Sequence, residues 1–215
     1  MNAVLATVID NGRFPDARGA GTDPQLSKRV RIVDAALLCV ASRGLRATTV
    51  DEVAHAAGLS RATLYRVIPG GRDGIIQAMV ETEIARFFSA LAVSMGSAAD
   101  LEGVLVAGMT TSARWLSNSE ALARVLDSEP WVVLRHLSFG EMERALEVAA
   151  GFTSPFFARW LDPDQALRAA DWSVRIVVSY LLDPGGDVDL TDDDSVRRLV
   201  RSYVMPGIEA LRGAA

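Results

Sequence analysis

Cysteine is nearly absent from these 215 residues: Cys39 stands alone, which excludes an internal disulfide and a thiolate-based zinc site. Histidine is almost as scarce. His55 and His136 are too few for a multi-histidine site within one subunit, so no metal and no cofactor is expected. No apolar run approaches the ~20 residues of a membrane-spanning helix, which argues against a membrane partner. The apolar stretch Ala3–Ile9 is short and lacks both a basic flank and a convincing cleavage site, so no signal peptide is read there. A cytoplasmic chain is expected. No stretch alternates at period two over a useful length, and no repeat of 20–50 residues is visible.

What is present is globular: 50% apolar and 23% charged residues, not the composition of disorder. The net charge of −5 is unevenly spread. Residues 1–72 carry net +4 and residues 73–215 carry net −9, as if a small basic module were attached to a larger acidic body. Only a local basic face is needed to meet phosphates, because their field fades over roughly 8 Å at physiological salt. Ordinary variation in surface charge would account for the counts equally well.

Residues 1–22 read as an arm punctuated by Gly12, Pro15, Gly19 and Gly21. Arg13 and Arg18 lie on it, as basic residues do on minor-groove arms, although an extension without a role fits as well. Asp23-Pro24 then offers a cap and a first-turn proline. Leu26, Val30, Val33, Leu37 and Val40 recur at helical steps until Gly44. Thr49-Val50-Asp51-Glu52 is a capping box that opens a short helix at Val50, interrupted by Gly58. Ser60 caps another, closed by Pro69-Gly70-Gly71. A long helix is expected over 73–95, then helices near 100–117, 119–127, 130–150, 155–161, 164–182 and 192–212. Ser117-Asn118, Pro130, Gly151, Pro163 and Asp183-Pro184-Gly185-Gly186 are read as the breaks. The fold class is all-α.

The spacing from Val50 onward suits a helix-turn-helix. Ala54 is small where two helices cross, Gly58 tolerates a positive φ at the corner, and Val53, Ala57, Leu59, Leu64 and Val67 are apolar where a core is shared. Burying Leu64 and Val67 turns Arg61, Ala62, Tyr65 and Arg66 outward on one face. An arginine can fork onto guanine, an alanine admits close approach or a thymine methyl, and a tyrosine hydroxyl suits a phosphate oxygen. Thr49 and Ser60 stand at helix N-termini, which favour phosphate, although capping alone explains them too.

The segments Arg31-Ile32-Val33-Asp34-Ala35-Ala36, Ser42-Arg43-Gly44, Thr48-Thr49-Val50-Asp51-Glu52-Val53-Ala54 and Ala57-Gly58-Leu59-Ser60-Arg61-Ala62-Thr63-Leu64-Tyr65-Arg66 resemble the DNA-binding domain of the TetR (tetracycline-repressor-like) regulators. The likeness is strong over about 28–80. Over 100–212 it rests on helical layout and the closing Ser202–Ile208 segment. It implies a three-helix DNA-binding domain over 23–72 and a larger helical effector-binding and dimerisation domain over 73–215. It further implies a homodimer on a palindromic double-stranded DNA operator. Carried over by position, Thr49, Ser60, Thr63 and Tyr65 would meet phosphates, and Arg61, Ala62 and Arg66 would face base edges. Val40 and Ile68 stand where the family usually has phenylalanine. Gly70-Gly71-Arg72 replaces its usual lysine, leaving Arg72 to meet a phosphate at the next helix N-terminus.

All four tryptophans and six of the seven phenylalanines lie after residue 86, where core packing explains most of them. The resemblance implies a cavity there, with Trp115, Trp131, His136, Phe139, Met142 and Trp172 as candidate walls for a small apolar or amphipathic effector. Arg175 has Asp171 as its nearest partner at i−4. Asp187, Asp189, Asp192, Asp193 and Asp194 do not fit a calcium loop, and Thr191 is read as capping a helix with aspartates in its first turn. An enzyme is not expected, since no nucleophile elbow, phosphate loop or histidine pair is found. The competing reading is a helical protein-interaction module that no longer binds DNA. The expected function is that of a ligand-released repressor.

Overall fold

In the computed structural model, which describes residues 24–128, 139–182 and 186–213, every regular element is helical. Helix α1 (Pro24–Arg43) ends where Gly44 takes φ +84° and returns its N–H to the Val40 carbonyl at 2.8 Å. The cap expected at Asp23 lies outside the described residues, as do Arg13 and Arg18. The buried stripe of α1 is Ile32, Val33, Ala35, Ala36 and Val40; Leu26 is exposed and Val30 and Leu37 only half-buried. The stripe therefore runs over smaller residues than the leucine-valine spacing suggested.

Helices α2 (Val50–Ala56) and α3 (Arg61–Val67) follow as expected, and α4 (Gly71–Gly96) starts two residues early. Then come α5 (Leu101–Ser117) and α6 (Glu120–Ser128). Helix α7 (Phe139–Phe157) corrects the expectation of a break at Gly151 and a new helix at 155. Pro155 cannot donate to the Gly151 carbonyl four residues back, and the Ser154 hydroxyl takes that acceptor at 3.2 Å instead. Residues 158–160 only turn.

Helix α8 (Pro163–Leu182) matches expectation, but the single closing helix does not form. It is divided into α9 (Asp193–Leu199), a π-helical turn (Val200–Val204) and α10 (Met205–Gly213). Pro206 lacks the N–H that would hold the Ser202 carbonyl, and the widened turn sends the Met205 N–H to Val200 instead. The α9 cap is Asp192, whose carboxylate accepts from the Ser195 N–H at 2.8 Å. Thr191 is no cap. Its N–H and hydroxyl both bind Asp189 Oδ1, at 2.8 and 2.7 Å.

Contacts divide the described chain into two compact units: residues 24–89 with 119–128, and residues 90–118 with 139–182 and 186–213. The first is built on Ile32, Val33, Val40, Val53, Leu64, Ile68 and Ile75, all nearly or wholly out of solvent. Each such aliphatic side chain contributes about 1.5–3 kcal/mol by leaving water. Val40 and Ile68, the two replacements for phenylalanine, are thus core residues. Ala121 and Val125 of α6 pack on this cluster, and Arg124 reaches the Ser42 carbonyl. In the second unit, α7 packs along α8, where Ala166, Ala169 and Ala170 are buried. Glu102 on α5 accepts from Arg197 and Arg201, at 2.8 and 2.9 Å, which fastens α5 to the chain of α9 and the π turn.

Candidate nucleic-acid interface and effector cleft

The corner between α2 and α3 is set by Gly58, at φ +63°. Any Cβ there would be strained by the backbone and would stand 3.2 Å from the Arg31 guanidinium. That guanidinium closes the corner by donating to the Ala57 carbonyl at 2.6 Å. The capping box is complete: Thr49 Oγ1 accepts from the Glu52 N–H at 3.3 Å, and Glu52 Oε2 accepts from the Thr49 N–H at 3.0 Å. The bonds that the Thr49 N–H and hydroxyl donate to the Glu52 carboxylate hold that carboxyl below its ordinary value, with Arg43 adding to the effect. Ser60 caps α3 by accepting from the Thr63 N–H at 3.2 Å, and its hydroxyl lies 2.9 Å from that of Thr63.

Leu64 is wholly buried, while Leu59 and Val67 are half-buried against the same core. Arg61, Ala62, Tyr65 and Arg66 are accordingly all exposed on the outer face. Arg61 is engaged: Nη1 meets Asp51 Oδ2 at 3.0 Å, and the guanidinium sits 5.6 Å from the centre of the Tyr65 ring. Arg66 has no hydrogen bond or ion pair among the described residues. Arg72 folds back, donating from Nη2 to the Leu45 carbonyl at 2.8 Å. Gly74 is a feature that sequence reading passed over. A Cβ there would stand 1.9 Å from the Pro69 carbonyl oxygen, so the turn from α3 into α4 closes only on a residue without one.

Of the candidate pocket walls, Trp131 and His136 lie outside the described residues, as does the Phe139 side chain. Trp115 and Met142 are half-buried, and Trp172 is 65% exposed. Arg175 pairs with Asp171 at 2.8 Å as its spacing suggested. A cleft of about 450 Å³ opens elsewhere in the second unit, between Ala113 and Ser117 of α5, Tyr180 of α8 and the 186–191 loop. Thr110, one turn further along the same stripe of α5, buries a hydroxyl that has no partner among the described residues. Among those residues no cluster of histidine, cysteine and carboxylate side chains could hold a metal, and no helix is long and apolar enough to cross a membrane.

The helix-turn-helix geometry agrees with what known proteins show. Residues 32–67 match the family model described as bacterial regulatory proteins, tetR family. An HTH-type transcriptional regulator of Mycobacterium tuberculosis is 30% identical over 204 residues, covering 91% of this chain and 95% of that one. The chain belongs to the TetR family of transcriptional regulators. This TetR-family chain is also 25% identical over 203 residues to the HTH-type transcriptional repressor KstR2 of Rhodococcus jostii, covering 87% of this chain and 94% of that one. Among solved structures, the TetR family repressor AlkX from a Dietzia strain, implicated in biodegradation of n-alkanes, superposes with a TM-score of 0.55. It is 26% identical and covers 86% of this chain and 97% of its own.

Proposed function

We propose that this TetR-family regulator is a repressor that binds a palindromic operator as a homodimer and is released by a small apolar or amphipathic effector. The observation that carries the DNA arm is the division of α3: Leu64 wholly buried, and Arg61, Ala62, Tyr65 and Arg66 together on the outer face. Arg61, Ala62 and Arg66 face base edges in this reading, and Ser60, Thr63 and Tyr65 meet phosphates. Thr49 and Arg72 join the phosphate set once DNA competes with the capping box and with the Leu45 carbonyl. Repression is supported by the likeness to KstR2 and AlkX, both repressors.

Leu167 and Trp172 on α8 and Tyr203 in the π turn are 49%, 65% and 77% exposed, apolar surface that a second copy of the chain would cover. We assign Trp172 to that interface. For the effector, Trp115, Phe139 and Met142 remain proposed walls, with the Ser117–Tyr180 cleft as a polar alternative. The link of AlkX to n-alkane degradation favours an apolar ligand.

Selection of bound genomic DNA followed by footprinting tests the reading. A protected palindrome is expected, its half-site centres separated by about one to two helical turns of roughly 10 base pairs each. A footprint on one asymmetric half-site, occupied by one subunit, overturns the dimer. No sequence preference at all favours the protein-interaction module instead.

A further inference from the structure

Asp51 sits in the first turn of α2 and is the group that holds Arg61. The two side chains are 65% and 61% exposed, so their ion pair adds little to folding. Its effect is on pose. An arginine side chain carries many rotamers, and this one is fixed on two sides, by the Asp51 carboxylate at 3.0 Å and by the Tyr65 ring. Asp51 takes a bond from Nη1, leaving other edges of the five-donor fork for a bidentate acceptor such as guanine O6 and N7. Arg66 on the same face has no comparable hold. Glu52, the neighbouring carboxylate, is already committed to Arg43 and to Thr49.

The carboxylate has a second consequence of opposite sign. Beside a DNA-facing helix it repels every phosphate, whatever the sequence, and it offsets the charge of Arg61. We propose that Asp51 is a specificity-determining residue: it orients Arg61 toward one base pair and, by its charge, lowers affinity for DNA of every sequence, a loss that only the oriented base contact offsets. This rests on the reading that Arg61 faces base edges.

The experiment uses the full chain, the selected operator duplex, duplexes with each base pair exchanged in turn, and a scrambled duplex, titrated by fluorescence anisotropy across salt concentrations. Circular dichroism confirms that each variant is folded. Asp51→Asn is expected to bind scrambled DNA more tightly, with a salt slope steeper by about one phosphate contact. It should lose discrimination at one base pair by about fivefold or more. Asp51→Glu should restore part of that discrimination. In an Arg61→Ala background, Asp51→Asn should leave discrimination at that base pair unchanged, because the residue acts through the arginine. Wild-type discrimination retained by Asp51→Asn at every base pair overturns the proposal. Equal losses with and without Arg61 overturn it too. A wild-type protein without any preference overturns the operator reading and this one together, so the two failures are distinguishable.

Discussion

Arg86 on α4 donates from Nη2 to Asp34 Oδ1 on α1 at 2.6 Å, across 52 residues of chain. Its Nη1 meets Glu83 at 3.0 Å, and a second pair, Arg29 to Glu81 at 2.7 Å, ties the same two helices. With side chains 36% and 49% exposed, the Arg86–Asp34 pair is screened by solvent. Asp34→Asn is expected to cost about 0.5 kcal/mol in urea unfolding, and the loss should shrink in high salt. Arg86→Ala should cost about 1 kcal/mol, because it also removes a packed stem and leaves two carboxylates without their partner. A salt-independent loss would assign the effect to packing alone.

Two glycines should respond oppositely to alanine. At Gly74 a Cβ meets the Pro69 backbone carbonyl at 1.9 Å, so the backbone itself must move. Gly74→Ala is expected to destabilise by about 2 kcal/mol or more. At Gly151, inside α7, nothing lies within 4 Å of the added carbon, and Gly151→Ala should stabilise by about 0.5–1 kcal/mol. Thermal unfolding of both variants checks the pair. A Gly74→Ala variant as stable as the wild type would mean that the α3–α4 turn relaxes easily.

The DNA face makes a split prediction. If Tyr65 and Ser60 meet phosphates as proposed, Tyr65→Phe and Ser60→Ala should weaken binding about equally on all sequences, since phosphate contacts carry no sequence information. Arg66→Ala should instead relax discrimination at particular base pairs by about 1–3 kcal/mol. If it only lowers the salt slope, Arg66 is a phosphate ligand.

The parts of this fold legible from sequence are those fixed by neighbours a few residues apart. The capping box at Thr49 and Glu52, the positive φ at Gly44 and Gly58, and the burial of Val53, Ala57 and Leu64 follow from local spacing alone. Gly151 and Pro155 misled because their helix-breaking tendency is offset by one hydroxyl, that of Ser154. The π turn before Pro206 is likewise a local rearrangement that no apolar periodicity encodes. The packing of α6 on α1 and the Asp51–Arg61 pair arise only when distant turns meet. For the same reason the outward face of α3 could be read, but not that one of its two arginines is already held.

Among the described residues, three carboxyls held below their ordinary values should contribute less to stability in acid. Hydrogen bonds from Thr49 lower Glu52, those from Arg201 and Arg197 lower Glu102, and those from Thr191 lower Asp189. A carboxyl depressed in the folded state adds stability above its unfolded value, near pH 4, and loses it as pH falls through the folded value. Stability from these groups should therefore be level above about pH 5 and fall below about pH 4.5. Glu102→Gln and Glu52→Gln should each flatten that acid limb without changing the slope near neutrality. An unchanged limb in both variants would place the acid sensitivity in other carboxyls.

Release by an effector requires that the ligand prefer the conformation that binds operator poorly. A 100-fold loss of operator affinity needs about 2.7 kcal/mol of coupling, within reach of one small-molecule site. Linkage makes the effect reciprocal: saturating operator must weaken the ligand by the same factor. Titrating straight-chain alkanols, fatty acids and aromatic compounds, followed by tryptophan fluorescence with and without operator, measures both sides. Two variants then locate the site. Trp115→Ala should abolish the response, leaving operator affinity intact, if the ligand lies among the aromatic side chains of the second unit. Ser117→Trp fills the cleft beside Tyr180 and should abolish the response only if the ligand enters there. Full response in both variants excludes both sites, and a ligand bound equally tightly with and without operator is not an inducer.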